Sequence, residues 1–357
     1  MTFQQATDRY EAWLARHTTL VKGDVRRKHR EMKHDAFSFL RATFYRWMHV
    51  WPNVCATLAS APHVLAVGDL HVANFGTWRD SEGRLTWGIN DFDEACTLPY
   101  TNDLVRLAVS ARLAIRAGHL TIKPKEAYDA VVLGYTESLK SGGRPFVLAE
   151  QHRWLRAIAT SQSRNHIQFW KKLAALPVVR GPVPHAVSKA LESMLPEPGL
   201  PYTLRHRTSG LGSLGRPRFV ALADWKGGNI AREAKALVPS SCVWANTSHT
   251  STLMYQTILD QAVRCRDPFV QVREHWLVRR LSPYCSRIEL TSLPKTRDEN
   301  RLLYAMGWET ANVHLGSRTA IKSVLQDLKA RKANWLREAA KDMLHATLTE
   351  WAEWTRT

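Results

Sequence analysis

Cysteine is scarce: Cys55, Cys96, Cys242, Cys265 and Cys285 stand far apart in a chain of 357 residues. Their odd number and wide spacing exclude a disulfide framework and a C-x-x-C zinc site, so they read as reduced thiols. Cys96, three residues past Asp93, reads as a buried filler in preference to a nucleotide contact. No apolar run approaches the roughly 20 residues that a membrane helix needs, and the opening MTFQQATDRYEAWLARH has neither the basic start nor the apolar centre of a secretory signal. These absences predict a cytoplasmic protein with no membrane partner. Internal repeats and low-complexity tracts are lacking too, which sets aside solenoids and disordered arrays. Acid is in deficit, with 32 Asp and Glu against 50 Lys and Arg for a net charge of +18. That balance predicts an anionic partner: a nucleotide, a phosphorylated metabolite or nucleic acid. The densest basic run, KGDVRRKHREMKH from Lys22 to His34, reads as a solvated helical face in preference to a nucleic-acid patch, because no nucleic-acid motif accompanies it.

What is present is enough apolar content, 45%, to fill the cores of two lobes. Helical spacing of apolar residues predicts helices over Gln4 to His17, Asp35 to Val50, Asn102 to Ala117 and from Pro124 to the stop at Ser141, Gly142 and Gly143, then a third helical region from Phe146 to Leu176. Arg41 and Arg46 are cations of the second helix with a possible place at a site. Six prolines between Pro177 and Pro201 mark a boundary, with a short helix from His185 to Leu195 inside it. Strands are predicted over Arg218 to Leu222, NIAREAKAL, Phe269 to Val272 and Trp276 to Leu281; helices over Thr252 to Arg264, from Arg301 to near Gly316, and in one long last element from Ile321 to Trp354.

The chemistry concentrates between His63 and Asp103. Asp69 follows an apolar run, Asn74 comes five residues later, and Asp91 and Asp93 follow a second run, Leu85 to Ile89, beyond the turn signal Asp80 to Gly83. Two short buried strands are expected to present these carboxylates side by side. Magnesium takes hard oxygen ligands, usually one or two from protein and the rest from water and phosphate. Asn74 and Asp91 supply such oxygens, and Asp69, free of metal duty, can take a proton from an attacking hydroxyl.

GDLHVANF, INDFDEA and LPYTNDLVRLA together resemble the catalytic core of aminoglycoside and choline kinase-type phosphotransferases, the small-molecule branch of the protein-kinase-like fold. The resemblance implies Asp69 as catalytic base, Asn74 and Asp91 as magnesium ligands, Asp103 as the buried anchor of the loop, and His71 as its brace. A wider likeness, carried by KHREMKHDAFSFLRATFYRW, SGLGSLGRPRFVAL and WLVRRLSP as well, is to an uncharacterised bacterial family designated a domain of unknown function. It supplies no substrate.

Gly210, Gly212 and Gly215 form G-x-G-x-x-G before a strand, the order of a kinase glycine loop, which lets backbone N–H groups approach phosphate. A tight hairpin would use the same glycines. The next strand should carry the cation that grips the nucleotide. Register favours Arg232 and chemistry keeps Lys235; three apart on a strand, only one of them faces the cleft. Asp260 is a candidate partner for that cation. The acidic loop precedes the glycine loop, the reverse of ordinary kinases, so the resemblance implies a circularly permuted fold. That fold is α+β and two-lobed, with a helical C-lobe and a small antiparallel N-lobe. Its segments are N-terminal helices (1–62), catalytic loop and helices (63–176), a Pro-rich connection (177–203), a β domain (204–283) and C-terminal helices (284–357). ANVHLGS, from Ala311 to Ser317, is expected to end beside Val64. The implied activity is ATP- and magnesium-dependent phosphoryl transfer to a small-molecule hydroxyl, or less readily a protein one. The alternative is a nucleotide-binding module without turnover. GDLH also has a superficial likeness to metallophosphoesterases, but the required G-N-H turn is missing.

Overall fold

Strands in the first half of the chain are β1 (His63–Ala66), β2 (Phe75–Arg79), β3 (Leu85–Ile89), β4 (Cys96–Pro99) and β5 (Phe146–Val147). The second half supplies β6 (Thr203–His206), β7 (Arg218–Trp225), β8 (Gly228–Ala236), β9 (Val270–Arg273) and β10 (Trp276–Leu281). They come from a computed structural model that describes residues 1–149, 151–160, 165–283, 285 and 298–356. The class is α+β, with small antiparallel sheets set against helices.

β2 and β3 pair as a hairpin, Phe75 opposite Ile89 and Arg79 opposite Leu85, across the turn that Asp80 organises by accepting the amides of Glu82 and Arg84. β1 does not join them. It pairs with β4, Val64 opposite Leu98, so the strands before Asp69 and Asp91 belong to different sheets. The chain leaves β3, runs through both carboxylates and returns as β4 beside β1, which brings the two acidic loops together by another route.

The five-stranded sheet has the order β6-β7-β8-β10-β9. Alternation along its strands separates two faces. Ala221, Ala234 and Val278 pack under the helix His185–Glu192 through Val187, Ala190 and Leu191. The opposite face carries Arg218, Glu233, Lys235 and Arg279, where Glu233 stands opposite Arg279 and Arg218 opposite Lys235. Leu277, on that same face, belongs to the main core.

The main core joins that sheet to the helices Tyr100–Arg116, Pro124–Ser141 and Glu299–His314. Pro124 occupies the first turn of its helix, where the missing N–H has no partner to lose. Helix Glu299–His314 does end against β1: the Ser317 hydroxyl accepts the Leu65 amide at 2.7 Å. Three helical expectations are corrected. Asp35 to Val50 is two helices, Ala36–Ala42 and Phe44–Val54, broken at Thr43, whose hydroxyl bonds back to the Phe39 carbonyl. Phe146 to Leu176 divides into β5 and the helices Arg153–Thr160 and His166–Ala174, with residues 150 and 161–164 outside the described residues. The last element is likewise two, Ile321–Ala330 and Trp335–Arg356. Of the expected segment 284–357, residues 284, 286–297 and 357 lie outside the described residues. No helix among the described residues is long and apolar enough to cross a membrane.

Candidate functional site

Asp103, in the first turn of helix Tyr100–Arg116, is fully buried, and its carboxylate accepts the amides of Val67 (2.7 Å) and Gly68 (3.0 Å) and the His314 imidazole (3.0 Å). Hydrogen bonds to a carboxylate are worth about 1.5–3 kcal/mol each. The end of β1 is therefore fixed to two helices, and Asp69, one residue on, inherits that position. His71 and Asn74 close the loop: the Asn74 Oδ1 accepts the His71 amide at 2.7 Å, and His71 Nδ1 accepts the Ala73 amide at 3.2 Å.

Asp69 ion-pairs with Arg106, whose guanidinium has no exposed surface and lies 5.0 Å from the Phe44 ring and 4.9 Å from that of Trp47. Burial pushes the Asp69 carboxyl up to about 7, with Arg106 pulling the other way. Asp91 and Asp93 meet Lys235 of β8 at 3.4 Å and 2.5 Å. Burial lowers the Lys235 ammonium and raises Asp93, each opposed by the other's charge.

Arg232 is on the other face of the sheet. Its guanidinium donates to the Met194 and Ala231 carbonyls and stacks 4.9 Å from Phe269. The register preference for Arg232 is thus corrected, because the alternation that places Lys235 over the carboxylates turns a residue three positions earlier outward. Asp260 is not the partner of Lys235 either; it is exposed and bonded to Gln256 and Arg266.

The glycine segment between β6 and β7 lies directly on the acidic loop. A Cβ on Gly212 would stand 3.0 Å from the Arg41 carbonyl oxygen and 3.3 Å from Asp69 Oδ2. Between them is a cavity of about 30 Å³ lined by Asp69, Asn74, Asp91, Gly210 and Gly212. Gly215 is outside it, docked by its carbonyl on the Val21 amide at 2.8 Å. A second cavity, of about 290 Å³, adjoins through Gly210 and runs toward Leu281 and Cys285. Its walls combine Trp78, Phe92 and Tyr255 with Arg264 and Arg279. At its sheet side Glu233 is bound by Arg207, Arg218 and Arg279; although burial works against ionisation, the arginines hold its carboxyl well below the usual range.

Four residues at the site were not singled out by sequence. Arg106 is one turn after Asp103, a spacing that puts it on the same helix face. Glu94 accepts Arg216 at 3.0 Å and the Ser241 amide at 2.6 Å, which ties the acidic loop to the glycine segment and to the chain after β8. Its signal was its place beside Asp93 in the acidic run; Arg216 follows the last loop glycine directly. Lys28 corrects the reading of Lys22–His34 as a wholly solvated face. Asp24, Lys28 and Met32, four apart, form a buried stripe, with Asp24 accepting the Thr208 hydroxyl at 2.9 Å. Of the two candidate arginines, Arg41 lines the smaller cavity, whereas Arg46 pairs with Glu350 at 2.6 Å. Among the described residues no group of three or more His, Cys, Asp or Glu is disposed to hold a metal ion.

Residues 20–176 match a bacterial family. Its description is "Uncharacterized protein conserved in bacteria (DUF2252)". The matched stretch carries Lys28, Asp69, Asn74, Asp91 and Arg106 and ends before the glycine segment. No curated protein and no solved structure matches the chain.

Proposed function

We propose that the chain is a phosphotransferase of permuted protein-kinase-like fold that moves a phosphoryl group from ATP to a small-molecule hydroxyl in the presence of magnesium. The observation that carries this reading is the seating of the glycine segment on the acidic loop, Gly212 against Asp69. Two segments more than a hundred residues apart in sequence thereby share one cavity. Supporting it are the strand order β6-β7-β8-β10-β9, the glycine segment between its first two strands, and Lys235 on the third. In this reading the nucleotide base enters the larger cavity and the phosphates point toward Asp91.

Magnesium needs only one or two protein oxygens. Asp91 keeps 18% of its side chain exposed, and the Asn74 carbonyl oxygen has a lone pair beyond the one used by His71. This hard-oxygen set fits the ion, which when bound would neutralise phosphate charge. Asp69 orients the acceptor hydroxyl and takes its proton, a task suited to a carboxyl that titrates near 7. Lys235, held by two carboxylates, is positioned to grip the phosphates.

A second reading, a nucleotide-binding module without turnover, is favoured by one observation: the proposed base is locked to a buried guanidinium. Label transfer from ATP to a metabolite pool separates the two. Binding itself is tested by thermal shift with ATP and magnesium, because a ligand of the folded state raises its apparent stability. Wild type should be stabilised, and Asp91→Ala should lose the magnesium-dependent part. An equal shift in both proteins would remove Asp91 from the assignment.

A further inference from the structure

Lys28 is 5% exposed, and its side chain lines the smaller cavity together with Asp69, Gly212 and Arg216. Among the described residues it makes no hydrogen bond and no ion pair. Its nearest compensation is the faces of Tyr10 and Tyr45, at 5.9 and 5.7 Å. Such contacts contribute about 0.5–2 kcal/mol, whereas a buried charge without a partner costs several kcal/mol. The neighbouring carboxylates do not close the gap. Asp69 is taken by Arg106, Asp93 by Lys235, Glu94 by Arg216, and Glu11 by His29 at 2.6 Å. One buried cation is left facing a cavity of about 30 Å³, room for two or three water-sized groups and far too little for a nucleobase.

We propose that this cavity is an oxyanion site, in which Lys28 Nζ holds a tetrahedral phosphate-type group beneath the glycine segment and beside Asp69. The anion follows from the burial of Lys28; its identity as a phosphoryl group rests on the phosphotransferase reading. Lys28 comes from the helix Lys22–His34, outside both the sheet and the acidic loop, and that helix is pinned over the glycine segment by the Val21 amide and by Asp24. It brings to the cavity a cation that neither the sheet nor the acidic loop supplies. Two sources of the anion share this chemistry: the terminal phosphate of the nucleotide, or an anionic group on the acceptor.

The test uses the whole chain and inorganic phosphate, without nucleotide or metal, so that its outcome does not depend on ATP binding. Titration calorimetry should show phosphate binding to wild type, a loss of at least tenfold in Lys28→Met, partial retention in Lys28→Arg, and no change in Arg26→Met, which removes an exposed cation of the same helix. Equal affinity in wild type and Lys28→Met, or no binding to wild type, overturns the proposal. Should Lys28→Met fail to fold, wild-type crystals soaked in tungstate decide: density within hydrogen-bond reach of Lys28 Nζ is expected, and its absence there overturns the proposal. Repeating the phosphate titration with an ATP analogue bound identifies the source. Competition marks the nucleotide's own phosphate, and simultaneous binding marks the acceptor's.

Discussion

Asp69 and Arg106 pose opposite demands on one side chain. A base must be free to ionise and turn toward a hydroxyl, whereas a buried guanidinium wants a fixed anion; Arg106 also donates to the Leu40 carbonyl at 2.7 Å, and among the described residues its Nη1 has no hydrogen-bond partner. Removing one member of a buried pair costs about 3–5 kcal/mol because the other is stranded. Asp69→Ala, which takes away the oxygen that Arg106 donates to, should therefore lower stability by about 3 kcal/mol in urea titrations, and the double variant Asp69→Ala with Arg106→Met should lose clearly less than the sum of the single losses. Strict additivity would show that the pair is not coupled. The pH dependence has a definite sign. Asp69 titrates near 7 when folded and near about 3.9 when unfolded, so between those values the folded chain holds the proton. Its contribution to stability is greatest at low pH and declines as pH rises through 7. A phosphoryl-transfer rate that uses the ionised form should rise over the same interval, and a rate flat from pH 5.5 to 8 would remove Asp69 as base.

At the scale of elements, helix Pro124–Ser141 packs backbone to backbone against Glu299–His314. Gly134 and Gly307 face each other's backbone there: a methyl on Gly134 would run into the Tyr304 carbonyl, and one on Gly307 into that of Val131. Two effects of a Gly→Ala change compete. Helix propensity favours alanine by about 1 kcal/mol, while overpacking against an immovable backbone costs about 1–3 kcal/mol or more. The clash should win, so Gly307→Ala and Gly134→Ala are each expected to lower the melting temperature; a rise in either would mean that the helices separate freely. The pairing matters to the site because His314, at the end of the second helix, holds Asp103. Local signals made much of this readable in sequence. Pro124 and the glycines at 142 and 143 bounded a helix, Asp80 to Gly83 marked a hairpin, and alternation restricted the cleft-facing cation to Arg232 or Lys235. What stayed hidden was non-local. β1 pairing with β4 leaves no trace in either strand. Lys28 looks like any cation in a charged run, because its burial comes from Tyr10, Tyr45 and the glycine segment folding over it.

At the scale of the molecule, the acidic loop precedes the glycine segment in the chain, and residues near the two ends are in contact. The Phe3 amide donates to Glu353 at 3.0 Å, and the Phe3 and Trp354 rings are 5.4 Å apart in the same small core. Chains whose ends meet at a surface tolerate reopening elsewhere, provided the cut falls in exposed backbone with few bonds. The bend around Glu197, Pro198 and Gly199 is such a place: its residues are exposed, and the side-chain contacts of Glu197 with the sheet, from the Trp225 indole at 2.9 Å and the Lys226 ammonium at 3.7 Å, are themselves at the surface. A permutant joined from Thr357 to Met1 by a short Gly-Ser linker and opened between Pro198 and Gly199 would begin with β6 and the glycine segment and reach Asp69 later, the ordinary kinase sequence of parts. Both segments keep their contacts, so the permutant should melt cooperatively within about 3 °C of the parent, which for a chain of this length is equivalent to about 1–2 kcal/mol, and should show the same magnesium-dependent shift with ATP. A permutant that folds but loses that shift would mean that the native order of elements, and not only their arrangement in space, is needed to assemble the cavity.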